Sequence, residues 1–344
     1  MGVPGFFRYC QFGNFDPKTY PHRRLAVDMY VILHKFVMDE QIAKTLTLND
    51  EAVLPEYYNM VRNYLQNFVD QGFELYLVYD GGEMKYKITE SSRAQRRLDC
   101  YLKEQWLGAV EITPYQMFNF QNYLREHPFV KDGNPVETPF VVAPFEADAQ
   151  LAYLCKQGIT DAVLTNDSDL IIYGVKHILM IRQKAIETYD VMPEAKEIAA
   201  TINEISQEKL WLFGFFVSCD YFTGVAGLGI VKAMRIITEL DYSSKEKGID
   251  WELIWNRINL NGTFSKLAKS AKKVGYDYKP GYDLVRMIYT SQPVIDPRDF
   301  KLKYLNGTEV PVTQQTTFGT VVDIEKHAKG LINPFGGKEF QISN

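Results

Sequence analysis

The residues whose types and spacing could do chemistry lie in the stretch 141–173, VVAPFEADAQLAYLCKQGITDAVLTNDSDLIIY. There, two apolar runs each lead straight into a pair of acids, Glu146/Asp148 and Asp167/Asp169. Carboxylates beside strands that must be buried are costly, because burial strips their hydration and like charges at close range disfavour ionisation. A bound cation is the simplest remedy. Two further acids sit in equivalent places upstream: Asp28 within LAVDMY, and Asp80 at the carboxyl end of LYLVYDGG. Four strand-like runs therefore deliver acids, and in an open α/β sheet ligands bind outside the carboxyl ends of the strands.

The elements that must position these acids follow from the periodicity. RRLAVDMYVILHKFV reads as a strand running into a helix, with Tyr30, His34 and Lys35 close behind Asp28. Val53, Leu54, Tyr57, Tyr58, Val61, Leu65 and Phe68 form one apolar helical face that should pack on the sheet. After Asp80 comes the strongest basic cluster in the chain: Arg93, Arg96 and Arg97 recur at i, i+3 and i+4, flanked by Lys85, Lys87 and Lys103. Thr113-Pro114 is a helix start, cap then first-turn proline. HPFVKDGNPVE reads as a Pro/Gly/Asn loop, and the span from Asp80 to Glu146 as an insertion able to form a lid or arch. Beyond Tyr173, HILMIRQ is a short strand, and EAKEIAATI and EKLWLFGFFV are helical. DYFTGVAGLGIVKA then gives a hairpin with Gly224, Gly227 and Gly229, opening into a helix that carries Lys232. Amides at such a helix start suit a phosphate. Lys266, Lys269, Lys272, Lys273 and Lys279 make a second basic face.

Plain structural roles compete at each position. Asp28 alone would be a helix cap, the arginines a solvated face and the glycines a turn. Composition narrows the class. The 344 residues, 46% hydrophobic, can bury a large core. No apolar run approaches the ~20 residues of a membrane span, and the N-terminus lacks a signal-peptide pattern. The four cysteines, Cys10, Cys100, Cys155 and Cys219, form no CxxC pair, which fits packing roles in a reducing compartment. A net charge of −5 speaks against a polyanionic partner only if the acids are spread evenly, and here they are clustered. The GxG hairpin lacks the GKS/T of a P-loop, so nucleotide hydrolysis is not indicated.

The segments MGVPGFF, AVDMYVILHK, VYDGG, APFEADAQLAYL, TNDSDLIIYG and CDYFTGVAGLGIVKA resemble the XPG/flap-endonuclease family of structure-specific 5′ nucleases over essentially the whole chain. Asp148 in EADAQLAYL, the LHK after Asp28 and the tail YTSQPVIDPRDFKLKYLN are most similar to the exonuclease I branch. The resemblance implies a PIN-like α/β fold with a mostly parallel sheet, a helical arch and a helix-two-turn-helix. It divides the chain into a nuclease region (1–103), the arch and connecting loop (104–137), an internal nuclease region (138–219), the helix-two-turn-helix with basic helices (220–290), and an extension packing back on the core (291–344). It further implies that Asp28, Asp80, Glu146, Asp148, Asp167, Asp169 and Asp220 hold two Mg²⁺ or Mn²⁺ ions, for which oxygen-only ligation is suited.

Under the same resemblance Gly2 lies near the metals, Tyr30 and His34 pack against terminal nucleotides, and Arg93 with Lys87 or Lys85 contacts the scissile phosphate. Arg96 and Arg97 attract DNA, while Gly227, Gly229 and Lys232 grip duplex backbone beside a K⁺ ion. The chain departs from the family in three places: Asn166 replaces a usual acid, the arch is shorter, and the basic helix has one residue fewer between its Lys and Arg. The implied activity is 5′ to 3′ exonuclease and 5′-flap cleavage of DNA in a nuclear, monomeric protein. No QxxLxxFF-type clamp peptide ends the chain. A catalytically dead scaffold would show eroded carboxylates, and none is eroded. RNA-directed 5′ cleavage is the other alternative, suggested by the opening MGVP and FFRY.

Overall fold

The computed structural model describes residues 13–50, 54–182, 185–190, 206–225, 228–239, 278–308, 315–316, 319–320 and 324–330. A seven-stranded sheet has the order β1-β9-β8-β7-β2-β3-β6, with β1 at Gly13–Asn14, β2 at Arg24–Asp28, β3 at Glu74–Tyr79, β6 at Phe140–Val142, β7 at Ala162–Leu164, β8 at His177–Arg182 and β9 at Ala185–Asp190. The pairs β2/β3, β2/β7, β3/β6 and β7/β8 are parallel. Parallel strands are covered on both faces, which is why LAV and AVL are continuous apolar runs with no exposure at Leu25, Ala26, Val27, Ala162, Val163 or Leu164.

Helices α1 (Met29–Lys35), α2 (Glu40–Leu48), α3 (Leu54–Asp70) and α6 (Pro114–Glu126) supply much of the core around this sheet. On α3 the 3-to-4-residue spacing buries Tyr57, Tyr58, Val61, Leu65 and Phe68, as the sequence requires. Thr113 starts α6 with a full capping box to Gln116 and Pro114 in the first turn. Chain contacts divide the molecule into two compact units. One holds 14–166, 177–188 and the described part of 291–344; the other holds 167–176 and the described parts of 189–290. The second unit contains α8 (Asp169–Ile172) and the helices Gln207–Val217, Ile230–Glu239 and most of Tyr278–Ser291. Among the described residues no helix is long and apolar enough to cross a membrane.

One sequence reading changes. HPFVKDGNPVE is not a loop but a hairpin, β4 (Phe129–Lys131) paired with β5 (Asn134–Val136). Its two-residue turn puts Asp132 and Gly133 at φ 52° and 81°. Asp-Gly is the pair that tolerates this double left-handed geometry, so the signal was present in the sequence. The span 104–137, read as arch and connecting loop, contributes to the core. Val110, Ile112, Met117, Phe120 and Phe129 belong to the hydrophobic core, and β6 is a sheet strand. By contrast, α4 (Glu90–Leu102) buries none of its residues, and it is followed by the short α5 (Trp106–Ala109). Helix EAKEIAATI and the lysine-rich face 263–279 lie essentially outside the described residues.

Candidate functional site

In the sheet-bearing unit, Asp28 ends β2 and caps α1, accepting from the Val31 amide at 3.1 Å and from the Thr165 hydroxyl at 2.7 Å. Asp80 directly follows the neighbouring β3. Beyond it, the strand pairing of β3 with β6 continues through the loop: the Tyr79 carbonyl accepts from Ala143 N at 2.8 Å, and Gly81 and Gly82 donate to the carbonyls of Phe145 (2.6 Å) and Pro144 (3.1 Å). A Cβ on Gly81 would stand 1.9 Å from the Ala143 carbonyl oxygen, so DGG is needed for this close approach. The result brings VYDGG against APFEAD.

At that junction the Asp80 carboxylate accepts from the Ala147 amide at 2.8 Å and so caps α7 (Ala147–Lys156), whose own N-cap residue Glu146 makes no side-chain cap bond. Lys87 forms an ion pair with Glu146, both partners being mostly shielded. Burial pushes the Asp80 carboxyl up to about 6; the Ala147 amide opposes that shift, the Glu146 charge adds to it and Lys87 opposes it. Tyr30 has its phenol raised by burial and then by the Asp80 charge, and its ring lies 6.1 Å from the exposed His34. Asp148 is half-buried in the first turn of α7.

In the second unit Asp167 and Asp169 are 5% and 3% exposed. Asp167 accepts from the Asp169 amide at 2.9 Å, and Asp169 accepts from the Tyr289 hydroxyl at 3.1 Å. Burial, with the Asp169 charge beside it, pushes the Cys219 thiol up to about 12, so this cysteine packs as a neutral group. Asp220 is half-buried at a reverse turn in which Cys219 N donates to Phe222 O at 2.9 Å. Ser218 before it is at φ 94°, and a Cβ on Gly224 would meet the Ser218 amide at 2.6 Å. A Cβ on Gly229 would meet nothing within 4 Å. Lys232 is exposed on the first turn of Ile230–Glu239.

On the basic helix the residues separate by environment. Arg97 is paired with Glu90 at 2.8 Å and Glu111 at 2.9 Å, Arg93 is half-buried, and Arg96 is exposed. Lys85 is exposed, with its ammonium 5.8 Å from the Tyr86 ring. Asn166 bridges backbone, donating to Ile181 O at 3.0 Å and accepting from Ile181 N at 2.7 Å. A carboxylate could accept but not donate there, so an amide is the side chain that satisfies both backbone groups. Gly2 and Gly227 lie outside the described residues. Sequence reasoning missed Thr165 and Tyr289, hydroxyls that hold acids, and His327, whose Nε2 donates to the Ala143 carbonyl at 2.6 Å. Nothing in their local sequence marks such long-range contacts.

The donor set suits hard divalent cations: every candidate ligand is a carboxylate, and the raised Asp80 value is the repulsion and desolvation that a cation would relieve. Among the described residues no three His, Cys, Asp or Glu side chains are drawn together around one point.

The mostly parallel sheet flanked by helices is a PIN-like α/β fold. Family models match twice, the XPG N-terminal domain over residues 1–100 and the XPG I-region over residues 137–220. Exodeoxyribonuclease 1 of Schizosaccharomyces pombe is 28% identical over 352 residues, 96% of this chain and 56% of that protein. Exonuclease 1 of Xenopus laevis is 24% identical over 322 residues, 89% of this chain and 41% of that protein. The chain thus spans about half the length of these curated relatives. Among solved structures, the catalytic core of Rad2 in complex with DNA substrate superposes with a TM-score of 0.52 at 20% identity, covering 84% of this chain and 85% of that one, a likeness of fold. The chain belongs to the XPG family.

Proposed function

We propose that this chain is a divalent-metal-dependent 5′ nuclease that hydrolyses phosphodiesters of DNA, as an exonuclease and on 5′ flaps, in DNA repair. The observation that carries the reading is the Asp80–Glu146–Lys87 group: two acids from adjacent strand ends with one cation between protein and solvent. Asp28, Asp80, Glu146, Asp148, Asp167, Asp169 and Asp220 are the residues assigned to hold two Mg²⁺ or Mn²⁺ ions. Such ions, when bound, supply Lewis-acid activation of the attacking water and stabilise the leaving oxygen.

The chain's own residues do the rest. Lys87, mostly shielded beside Glu146, and Arg93 on α4 would neutralise charge on the scissile phosphate. Tyr30 and His34, neighbours on one face of α1, offer ring surfaces to the terminal nucleotides. The open approach at Gly229 lets a phosphate reach backbone amides at the start of Ile230–Glu239, with Lys232 alongside and a K⁺ ion as the assigned partner. Recognition through phosphates selects structure, a 5′ end, nick, gap or flap, rather than base sequence. The relatives being eukaryotic exonucleases, nuclear DNA is the assigned place of action.

The test is digestion of 5′-end-labelled blunt, recessed, nicked and 5′-flap DNA, beside a matched RNA duplex, with Mg²⁺. Release of short 5′ products from DNA is expected. Intact DNA in both Mg²⁺ and Mn²⁺ overturns the reading, and preferential loss of the RNA reassigns the substrate.

A further inference from the structure

The proposed reaction gives no role to the segment Tyr289–Asp296, yet buried hydrogen bonds join it to Asp169 in one unit and to the helix that carries Glu146 and Asp148 in the other. At its start the Tyr289 hydroxyl donates to Asp169 Oδ2 at 3.1 Å. The Tyr289 ring is fully buried, set edge-on to Tyr173 at 4.7 Å and to Tyr221 at 6.2 Å, so its hydroxyl has little freedom of position. At its end Ile295 and the Gln150 side chain are joined twice, Gln150 Nε2 to Ile295 O at 2.7 Å and Ile295 N to Gln150 Oε1 at 2.7 Å. Tyr153 one turn on donates to Asp296 Oδ2 at 2.8 Å, and Asp296 is in turn held by Arg298 and Lys303.

Gln150 and Tyr153 both lie on α7, the helix whose cap is Glu146 and whose first turn holds Asp148. A glutamine with no exposure in an otherwise apolar run is expensive to bury, and its two-point bond to a strand backbone fixes the rotation of α7 about its axis. Rotation matters there, because successive helix positions are about 100° apart and the acids lie two and four residues before Gln150.

We propose that Tyr289 and Gln150 are positioning residues for the divalent ions, Tyr289 by orienting Asp169 and Gln150, clipped to Ile295, by orienting the helix that carries Glu146 and Asp148. Partners that orient carboxylate ligands typically change metal affinity by ~10–100-fold when removed. The proposal rests on the metal-nuclease reading, and one experiment separates the two. Mn²⁺ binding to the full chain is titrated by electron paramagnetic resonance for wild type, Tyr289→Phe and Gln150→Met, beside melting curves and single-turnover cleavage. Tyr289→Phe keeps the ring packing and removes only the hydroxyl. It is expected to melt near wild type, to bind Mn²⁺ about 10–100-fold more weakly, and to recover cleavage at saturating metal. No Mn²⁺ binding by wild type defeats the metal reading itself. Wild-type affinity in folded Tyr289→Phe, with wild type binding normally, overturns the positioning proposal alone. If Tyr289→Phe does not fold, unchanged affinity in Gln150→Met overturns it. Loss of folding in both variants makes the segment structural, and the proposal falls.

Discussion

Lys85 and Lys87 are two positions apart, and the sequence favours Lys87 with Lys85 as the alternative; their surroundings differ too, since Lys87 is paired with Glu146 while Lys85 is exposed over Tyr86. Lys87→Ala and Arg93→Ala are therefore expected to lower saturated single-turnover cleavage by ~10²–10³. Lys85→Ala and Arg96→Ala should chiefly weaken binding. A slower Lys85→Ala than Lys87→Ala in that assay would move the catalytic role to Lys85. The glycines divide in the same way. Gly81→Ala puts a Cβ onto the Ala143 carbonyl and should lower the melting temperature sharply, whereas Gly229→Val enters open space. The latter is expected to melt like wild type but to bind long duplex more weakly than short single strands, a difference read by fluorescence anisotropy. Equal binding losses on the two substrates would contradict a duplex grip at this turn.

At the scale of elements, the sequence displays what is local and periodic. The four acid-bearing strands, the apolar face of α3 and the capping box of α6 were legible because each is written within a few residues. The hairpin β4–β5 was missed although Asp132-Gly133 announces it, since Pro135 and the short strands made the stretch look like a loop. The β10–β11 pair, Pro293–Asp296 with Lys301–Tyr304, was not legible as a support for α7, because its bonds span about 145 residues. Asp296 in that pair is 1% exposed. Hydrogen bonds from Arg298, then from Lys303 and Tyr153, hold its carboxyl far below the usual range. A depressed folded value means that the stabilisation is complete above about pH 4, the value of an unfolded Asp, and is lost as pH falls below it. Asp296→Asn should accordingly cost about 3 kcal/mol at pH 7, with the gap to wild type closing as pH falls from 4 toward 2 in urea titrations. A gap that stays constant over that range would show that the charge is not what matters.

For the whole molecule, a net charge of −5 is compatible with the proposed polyanionic substrate because of where the acids are. The carboxylates assigned to metal stand at or just beyond strand ends (Asp28, Asp80), at helix starts (Glu146, Asp148, Asp169) and in turns (Asp220), and Lys85, Arg96 and Lys232 are exposed. Each phosphate contact contributes about 0.9 to the slope of log affinity against log salt on duplex DNA, so Lys232→Ala should flatten that slope by about one unit. An unchanged slope removes Lys232 from the DNA contacts. The central claim, that these carboxylates serve chemistry rather than folding or DNA affinity, is tested most directly on Asp80→Asn. Single-turnover cleavage of a 5′-end-labelled recessed duplex in saturating Mg²⁺ is measured beside duplex binding by the same protein. The account predicts that cleavage is abolished while the binding constant stays close to wild type. Cleavage at the wild-type rate would contradict it.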